Sequence, residues 1–551
     1  MNIENREMGL THSAGLAATA SCLLLLAACG SDDDGTAPDG TAPDETAPVV
    51  TAQAACDALS GRTIAGATLT AVAVPASGAV PTYCKVNGTI APALNFEMRL
   101  PDAWNGKIYY GGGGGYDGSI PALSLPALTQ GYAAVASDSG HQGAGVSADF
   151  ALTDTFAAQL FGSLSVPTVM STALEAVAAA YGVLPSKSYF EGCSNGGREA
   201  LMNVQRYPNL FDGVIARAPA YNWVGFMGAF NRTAKALAAP GGAFSAEKTA
   251  LLAKHVREAC DGLDGIADGV ASNPAACTPA LVNVAALRCA GGTDTGDTCL
   301  SDAQLAVVTA WTSDAVFSGS GTFRNAGWSL TGGEDDPGAL GTWVTGSASP
   351  ALRSAEGAAA VTGALQFLFQ DTTVKNYLAR DPTANSLTYT PWDGNQNALY
   401  AMAALNDATS TDIRPFIDSG AKLILWHGGN DAALSVNSTA EYHANMRNTV
   451  GAANADASTR FYVAPGVNHC AGGPGADRSD LLGALDVWVT KGVAPANLIT
   501  EKRDAADAVS FARPLCRYPQ YPRYTGPAND AAAAKLAASY TCTSPPEVAQ
   551  K

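Results

Sequence analysis

An α/β fold on a mainly parallel sheet is predicted by three observations. Short apolar runs alternate with helical segments between residues 107 and 217, the rhythm stops near Pro219, and it returns at Ala421. Glu191-Gly192-Cys193-Ser194-Asn195-Gly196-Gly197-Arg198 stands between a strand-like run and a helix-like one. Alternation of this kind gives a sheet with both faces covered. At 551 residues the chain exceeds the size at which one core usually stops growing, so two structural units are expected. A content of 47% hydrophobic and 15% charged residues fits a soluble globular protein. The net charge of −17 argues against a nucleic-acid partner, which would require clustered Lys and Arg.

The N-terminus reads as a targeting segment. Residues 14–28 carry the apolar run Leu23 to Leu26 and end in Leu26-Ala27-Ala28-Cys29, the pattern of a bacterial lipoprotein signal over residues 1–28. The run is too short for a permanent membrane span. Cys29 would carry the lipid, and Gly30 after it favours the outer membrane. Glu4 and Glu7 outweigh Arg6, a departure that initiation at Met8 would remove; an ordinary cleaved signal, giving a periplasmic or secreted protein, is the alternative. Residues 29–50 repeat Thr-Ala-Pro with little to bury and are expected to be a flexible tether.

Twelve cysteines occur. Setting aside Cys22 and Cys29 leaves an even number, which in an oxidising compartment reads as disulfides. Short spacings favour Cys56 with Cys84, Cys260 with Cys277, Cys289 with Cys299 and Cys516 with Cys542, leaving Cys193 and Cys470. No Cys-x-x-Cys pair suggests zinc.

Residues 51–105 read as irregular β structure. Lys107-Ile108-Tyr109-Tyr110 is a strand running into Gly111 to Gly115, Tyr132 to Ser137 is a second strand, and Val166 to Tyr181 is an Ala-rich helix. The Ser194 strand, turn and helix follow, then the strand Gly213 to Ala216. Residues 222–408 lack βα alternation and are expected to form an inserted lid over the sheet's C-terminal edge. The sheet resumes at Ala421 to His427 and Arg460 to Ala464, with a closing helix from Ser479 to Val489. The catalytic unit is thus expected at 51–221 and 409–545.

Gly192-Cys193-Ser194-Asn195-Gly196 is a complete G-x-S-x-G turn, in which flanking glycines permit the sharp bend that exposes a serine. Such a serine needs a later acid and then a histidine. Of six histidines, His469 alone lies on a loop after the last apolar strand, and Asp431 follows the strand before it. Ser194 would attack an ester carbonyl, His469 would take its proton, and Asp431 would orient the imidazole. The N–H groups of Asn195 and Gly115 are the expected oxyanion donors. Cys193 precedes the serine and Cys470 follows the histidine, so a disulfide between them would tie the two loops together. In Cys260-Asp261-Gly262-Leu263-Asp264-Gly265-Ile266-Ala267-Asp268-Gly269-Val270, three carboxylates separated by glycine turns can converge on calcium, with the Ile266 and Val270 carbonyls completing an oxygen shell. Placement inside a disulfide loop argues for a structural ion.

Together these segments, with GGGGGYDGS, HGGNDAALS, VAPGVNHCAGGPG and RPLCRYPQYPRY, resemble the tannase and feruloyl esterase family over residues 52–545. The resemblance implies an α/β-hydrolase fold with a large lid, the triad Ser194, Asp431 and His469, the oxyanion pair Gly115 and Asn195, and calcium ligands Asp261, Asp264, Ile266, Asp268 and Val270. It implies a small aromatic ester as substrate. Feruloyl or galloyl esters are favoured, and terephthalate half-esters are the alternative, since Leu434 stands where an aromatic would be expected and the lid segment from Trp343 to Phe369 offers only Arg353 as a cation. Candidate pocket residues are Trp343, Phe367, Phe369, His427 and Leu434. A calcium-dependent surface binding protein on the same fold, without turnover, is the competing class.

Overall fold

The structure is a computed structural model and describes residues 50–317, 322–346, 355–390, 392, 396–528 and 530–546. The signal, the tether, Cys29 and Arg353 lie outside these residues. A ten-stranded sheet forms the frame. Its strands are β1 (Thr63–Ile64), β2 (Ala67–Val74), β3 (Tyr83–Ile90), β4 (Leu94–Pro101), β5 (Lys107–Gly111), β6 (Ala133–Ser137), β7 (Lys187–Cys193), β8 (Gly213–Arg217), β9 (Lys422–Gly428) and β10 (Thr459–Ala464). They lie in the order β1-β2-β3-β4-β6-β5-β7-β8-β9-β10. From β6 onward every neighbouring pair is parallel, whereas β1 to β4 and the β4 to β6 pair are antiparallel.

The N-terminal part is more regular than the sequence suggested. It opens with helix α1 (Ala52–Leu59), capped by the Thr51 side chain and tied to β3 by Cys56–Cys84. Four alanines in eight residues hid the amphipathic pattern that buries Ala52, Ala55, Cys56 and Leu59.

Side-chain alternation along the central strands sends residues to two separate cores. Ile108, Tyr110, Val214, Leu423 and Leu425 face one side, packed under α2 (Ser165–Tyr181), which ends on Gly182 at φ 79°. Tyr109, Ile215, Ile424 and Trp426 face the other, against Leu481, Leu485 and Trp488 of the helix Leu481–Lys491. The near-continuous burial of β6 and β9 is what a doubly covered parallel strand requires.

The described residues between β8 and β9 add no strand to this sheet, although β8 and β9 are paired neighbours. They form helices, including α4 (Trp223–Ala238) and α5 (Leu365–Thr373), and a small hairpin of Ala315–Phe317 with Phe323–Asn325. Their apolar faces join Tyr116, Phe161 and Leu434 in a third core above the sheet's C-terminal edge. Among the described residues five disulfides are formed, in the pairs Cys56–Cys84, Cys193–Cys470, Cys260–Cys277, Cys289–Cys299 and Cys516–Cys542.

Candidate active site

Ser194 sits between β7 and helix α3 (Asn195–Arg206), with φ 63° and ψ −119°. This strained turn is held by the Ser194 N–H on Arg217 O and by the Ala220 N–H on Ser194 O, each 3.0 Å. Only glycine fits around it. A Cβ on Gly192 would lie 2.5 Å from the Gly196 backbone, and one on Gly196 would lie 2.8 Å from Gly113 O.

His469 and Asp431 meet on adjacent loops after β10 and β9. The Asn430 N–H bonds Val467 O at 2.9 Å, and the Gly429 N–H bonds Ala464 O at 2.7 Å, so the two loops are knitted by backbone. His469 Nδ1 lies 2.7 Å from Asp431 Oδ2. Its Nε2 is buried with no hydrogen-bond partner, and Ser194 is brought to the same region by the disulfide between Cys193 and Cys470. Such contacts commonly tighten only with substrate bound. The Asp431 oxygens also accept the Ala433 and Leu434 N–H groups at 2.8 and 2.9 Å. Burial pushes the Asp431 carboxyl up, but His469 and His427 together outweigh it and hold it below the usual carboxylate range.

His427 departs from its expected place in the pocket wall. It is fully buried, with Nε2 3.1 Å from Asp431 Oδ2 and 3.1 Å from Leu434 O, and with Nδ1 2.9 Å from Thr439 Oγ1. Two acceptors at Nε2 make that nitrogen the donor, so His427 braces the acid. Its position as the sixth residue of β9 aims the ring beneath the loop.

Ser194, Asn195 and Gly115 share one narrow cavity of about 30 Å³, bounded by Trp343, Phe369, Ala433 and Leu434. Neither the Gly115 nor the Asn195 N–H is taken up by a turn or loop hydrogen bond. Phe367 does not line this cavity and packs at the margin of the third core. Trp223, Phe226, Met227 and Phe230 of α4 line it instead. These went unrecognised because an aromatic stripe at helical spacing reads equally well as core. Trp343 stands at the mouth, stacked with Phe369 at 6.2 Å and edge-on to His469 at 4.9 Å. A larger, open cavity of about 670 Å³ lies on the other side of the turn and reaches Gly192 and Cys193.

In the acidic loop, Asp261 accepts the Gly269 N–H at 3.0 Å, Asp264 accepts the Ser272 N–H at 3.0 Å, and Asp268 reaches Arg513 at 2.9 Å. Among the described residues no three acidic, His or Cys side chains are placed to hold a metal ion by themselves. The loop's donors are all oxygen, and burial raises Asp264 to about 6 and also raises Asp261. Asp264 is buried and Asp261 half-buried, and carboxylates so placed suit a hard cation, while the exposed Asp268 already pairs with Arg513.

A half-buried serine on a strained turn facing an apolar cavity, with a paired acid and imidazole on adjacent loops, one of them crosslinked to the turn, defines a carboxylic ester hydrolase. The chain belongs to the tannase and feruloyl esterase family, whose profile matches residues 77–543. It is 32% identical to mono(2-hydroxyethyl) terephthalate hydrolase of Piscinibacter sakaiensis, over 86% of this chain and 87% of that one. It is 28% identical to feruloyl esterase B of Aspergillus niger, over 85% and 89%. The fold matches the crystal structure of feruloyl esterase B from Aspergillus oryzae with a TM-score of 0.75 at 23% identity, covering 90% of this chain and 100% of that one.

Proposed function

We propose that this hydrolase cleaves esters of neutral aromatic acids, of the feruloyl or galloyl kind, through an acyl-enzyme on Ser194. The observation that carries the reading is the His469 and Asp431 pair, linked through Cys193–Cys470 to a serine that opens onto an aromatic cavity. Ser194 Oγ attacks the ester carbon while its proton passes to His469 Nε2, the uncommitted nitrogen. The oxyanion takes hydrogen bonds from the Gly115 and Asn195 N–H groups. The alcohol leaves with the proton from His469. Water, deprotonated by the same nitrogen, then frees the aromatic acid and restores Ser194.

Apolar and aromatic side chains dominate the lining, and among the described residues no charged side chain is part of it, which supports a neutral acyl group over one carrying a second carboxylate. Hydrolysis of mono(2-hydroxyethyl) terephthalate is the second reading, favoured by the 32% identical relative. The cavity's volume is that of about one water, so Trp343 and the stretch between β8 and β9, read as a lid, must give way as the ring enters. The acidic loop is proposed to take a structural calcium through Asp261, Asp264 and Asp268 with the Ile266 and Val270 carbonyls; no step of the reaction passes through it. Five disulfides support export, with Cys29 as the proposed outer-membrane lipid anchor.

The test is a rate comparison across ethyl ferulate, methyl gallate and mono(2-hydroxyethyl) terephthalate, with Ser194→Ala as the control. Ferulate or gallate turnover that exceeds terephthalate turnover and disappears in the variant is expected. Faster terephthalate turnover favours the second reading. Folded wild-type enzyme that is not labelled at Ser194 by a fluorophosphonate contradicts the serine chemistry.

A further inference from the structure

Beneath Gly115 and Asn195 lies a buried pair of acids, Asp117 and Glu199, that the proton transfers above do not use. Asp117 follows the glycine loop and Glu199 lies on α3, so the pair spans the two segments that meet at Ser194. Their oxygens are all engaged. Asp117 Oδ1 accepts the Gly114 N–H at 2.6 Å, and Oδ2 accepts the Ser139 hydroxyl at 2.7 Å and the Asn195 side-chain amide at 2.9 Å. Glu199 Oε2 accepts the Gly113 N–H at 3.0 Å, and Oε1 lies 3.3 Å from the same Ser139 hydroxyl. Asn195 is gripped from its other end as well. Its Oδ1 accepts Arg198 Nε at 2.7 Å, and the fully buried Arg198 is fastened to the carbonyls of Gly162 and Phe161 at 2.7 and 2.8 Å.

One carboxyl, Asp117, therefore holds the residue before one oxyanion donor and the side chain of the other. We infer that Asp117, braced by Ser139 and Glu199, is a positioning residue that fixes the spacing of the Gly115 and Asn195 N–H groups. The inference rests on those two groups being the oxyanion donors.

The glycine run has the shape this role requires. A Cβ on Gly113 would sit 1.9 Å from Asp117 Oδ1, and one on Gly112 would sit 2.9 Å from Glu199 Oε2. Side chains there would push the acids off the backbone N–H groups they now reach. Burial and then the neighbouring Glu199 raise the Asp117 carboxyl, and burial raises Glu199 against the pull of Arg198. Oxyanion donors act through preorganisation, and a displacement of about 1 Å costs on the order of 100-fold in rate.

Asp117→Asn sets an amide NH₂ against one of the donors that the carboxyl now accepts. The variant is compared with wild type for kcat and KM on ethyl ferulate per fluorophosphonate-titrated site, and for phenylboronic acid affinity, which reports the tetrahedral adduct at Ser194. Expected are a kcat lower by roughly 30- to 300-fold, a KM within about threefold, and a boronate affinity that falls in step with kcat. Asn195→Ala keeps the backbone donor and removes its tether. It should show the same pattern with a loss of about tenfold, and it decides the matter should Asp117→Asn not fold. Retention of kcat and boronate affinity within about threefold in a folded variant overturns the inference, as does a loss confined to the number of titratable sites. Wild-type enzyme that turns over the ester yet binds the boronate no better than Ser194→Ala removes the oxyanion reading, and the inference falls with it.

Discussion

Asp431 shows how much one carboxylate organises here. It accepts from two ring nitrogens and two backbone N–H groups, so it sets the His469 tautomer and shapes its own loop at once. Asp431→Asn keeps the volume but turns a donor toward groups that already donate. We expect kcat to fall by on the order of 10⁴-fold with native circular dichroism; a loss below about tenfold would exclude Asp431 as the orienting acid. At this scale the sequence was most readable. Glycines around Ser194 and the order serine, acid, histidine are local or linear signals. His427 was misjudged because one residue's phase along a buried strand decides between cavity and interior, and both faces of β9 are apolar.

Among the elements, the loops after β7 and β10 are joined by the longest crosslink among the described residues, with a sequence separation of 277. Chain entropy puts its contribution at about 5.6 kcal/mol as an upper figure. Replacing Cys193 and Cys470 together by serine should lower the melting temperature by on the order of 5 °C and reduce kcat at least about tenfold. Replacing Cys289 and Cys299, separated by 10 positions between β8 and β9, should leave kcat unchanged. Equal effects on kcat from the two replacements would show that Cys193–Cys470 stabilises without aligning the site. The alternating strands from β5 to β8 were legible because each is bounded by turn residues and covered on both sides. Helix α4 could be read as a helix, yet which of its faces meets the cavity depends on packing contributed by residues more than a hundred positions away, such as Trp343 and Phe369.

Over the whole molecule, the proposed calcium loop and a half-buried histidine bear on how stability responds to solution conditions. Excess chelator should lower the melting temperature of calcium-loaded enzyme by on the order of 5 °C, reversed by added calcium; an unchanged transition counts against a stabilising ion. His443 packs on Phe461 at 5.3 Å. Burial, then Arg447 and Arg517, with Asp456 opposing, lower it from 6.5 to about 4. The unfolded chain therefore binds a proton that the folded chain refuses, and stability falls as pH drops from about 6.5 to about 4. His443→Gln should flatten the dependence of melting temperature on pH in that window, whereas parallel profiles would show that this ring contributes nothing to it. The overall α/β plan followed from periodicity, while the antiparallel start and α1 did not, since alanine-rich and alternating stretches carry weak phase. The large cavity is lined by Gly192 and Cys193, whereas Ser194, Asn195 and Gly115 line the aromatic one. A small thiol reagent admitted there would reach the neighbourhood of the crosslink without entering the aromatic cavity, so reductive inactivation should be noncompetitive with respect to ester, and protection by ester would show that the two cavities are one site.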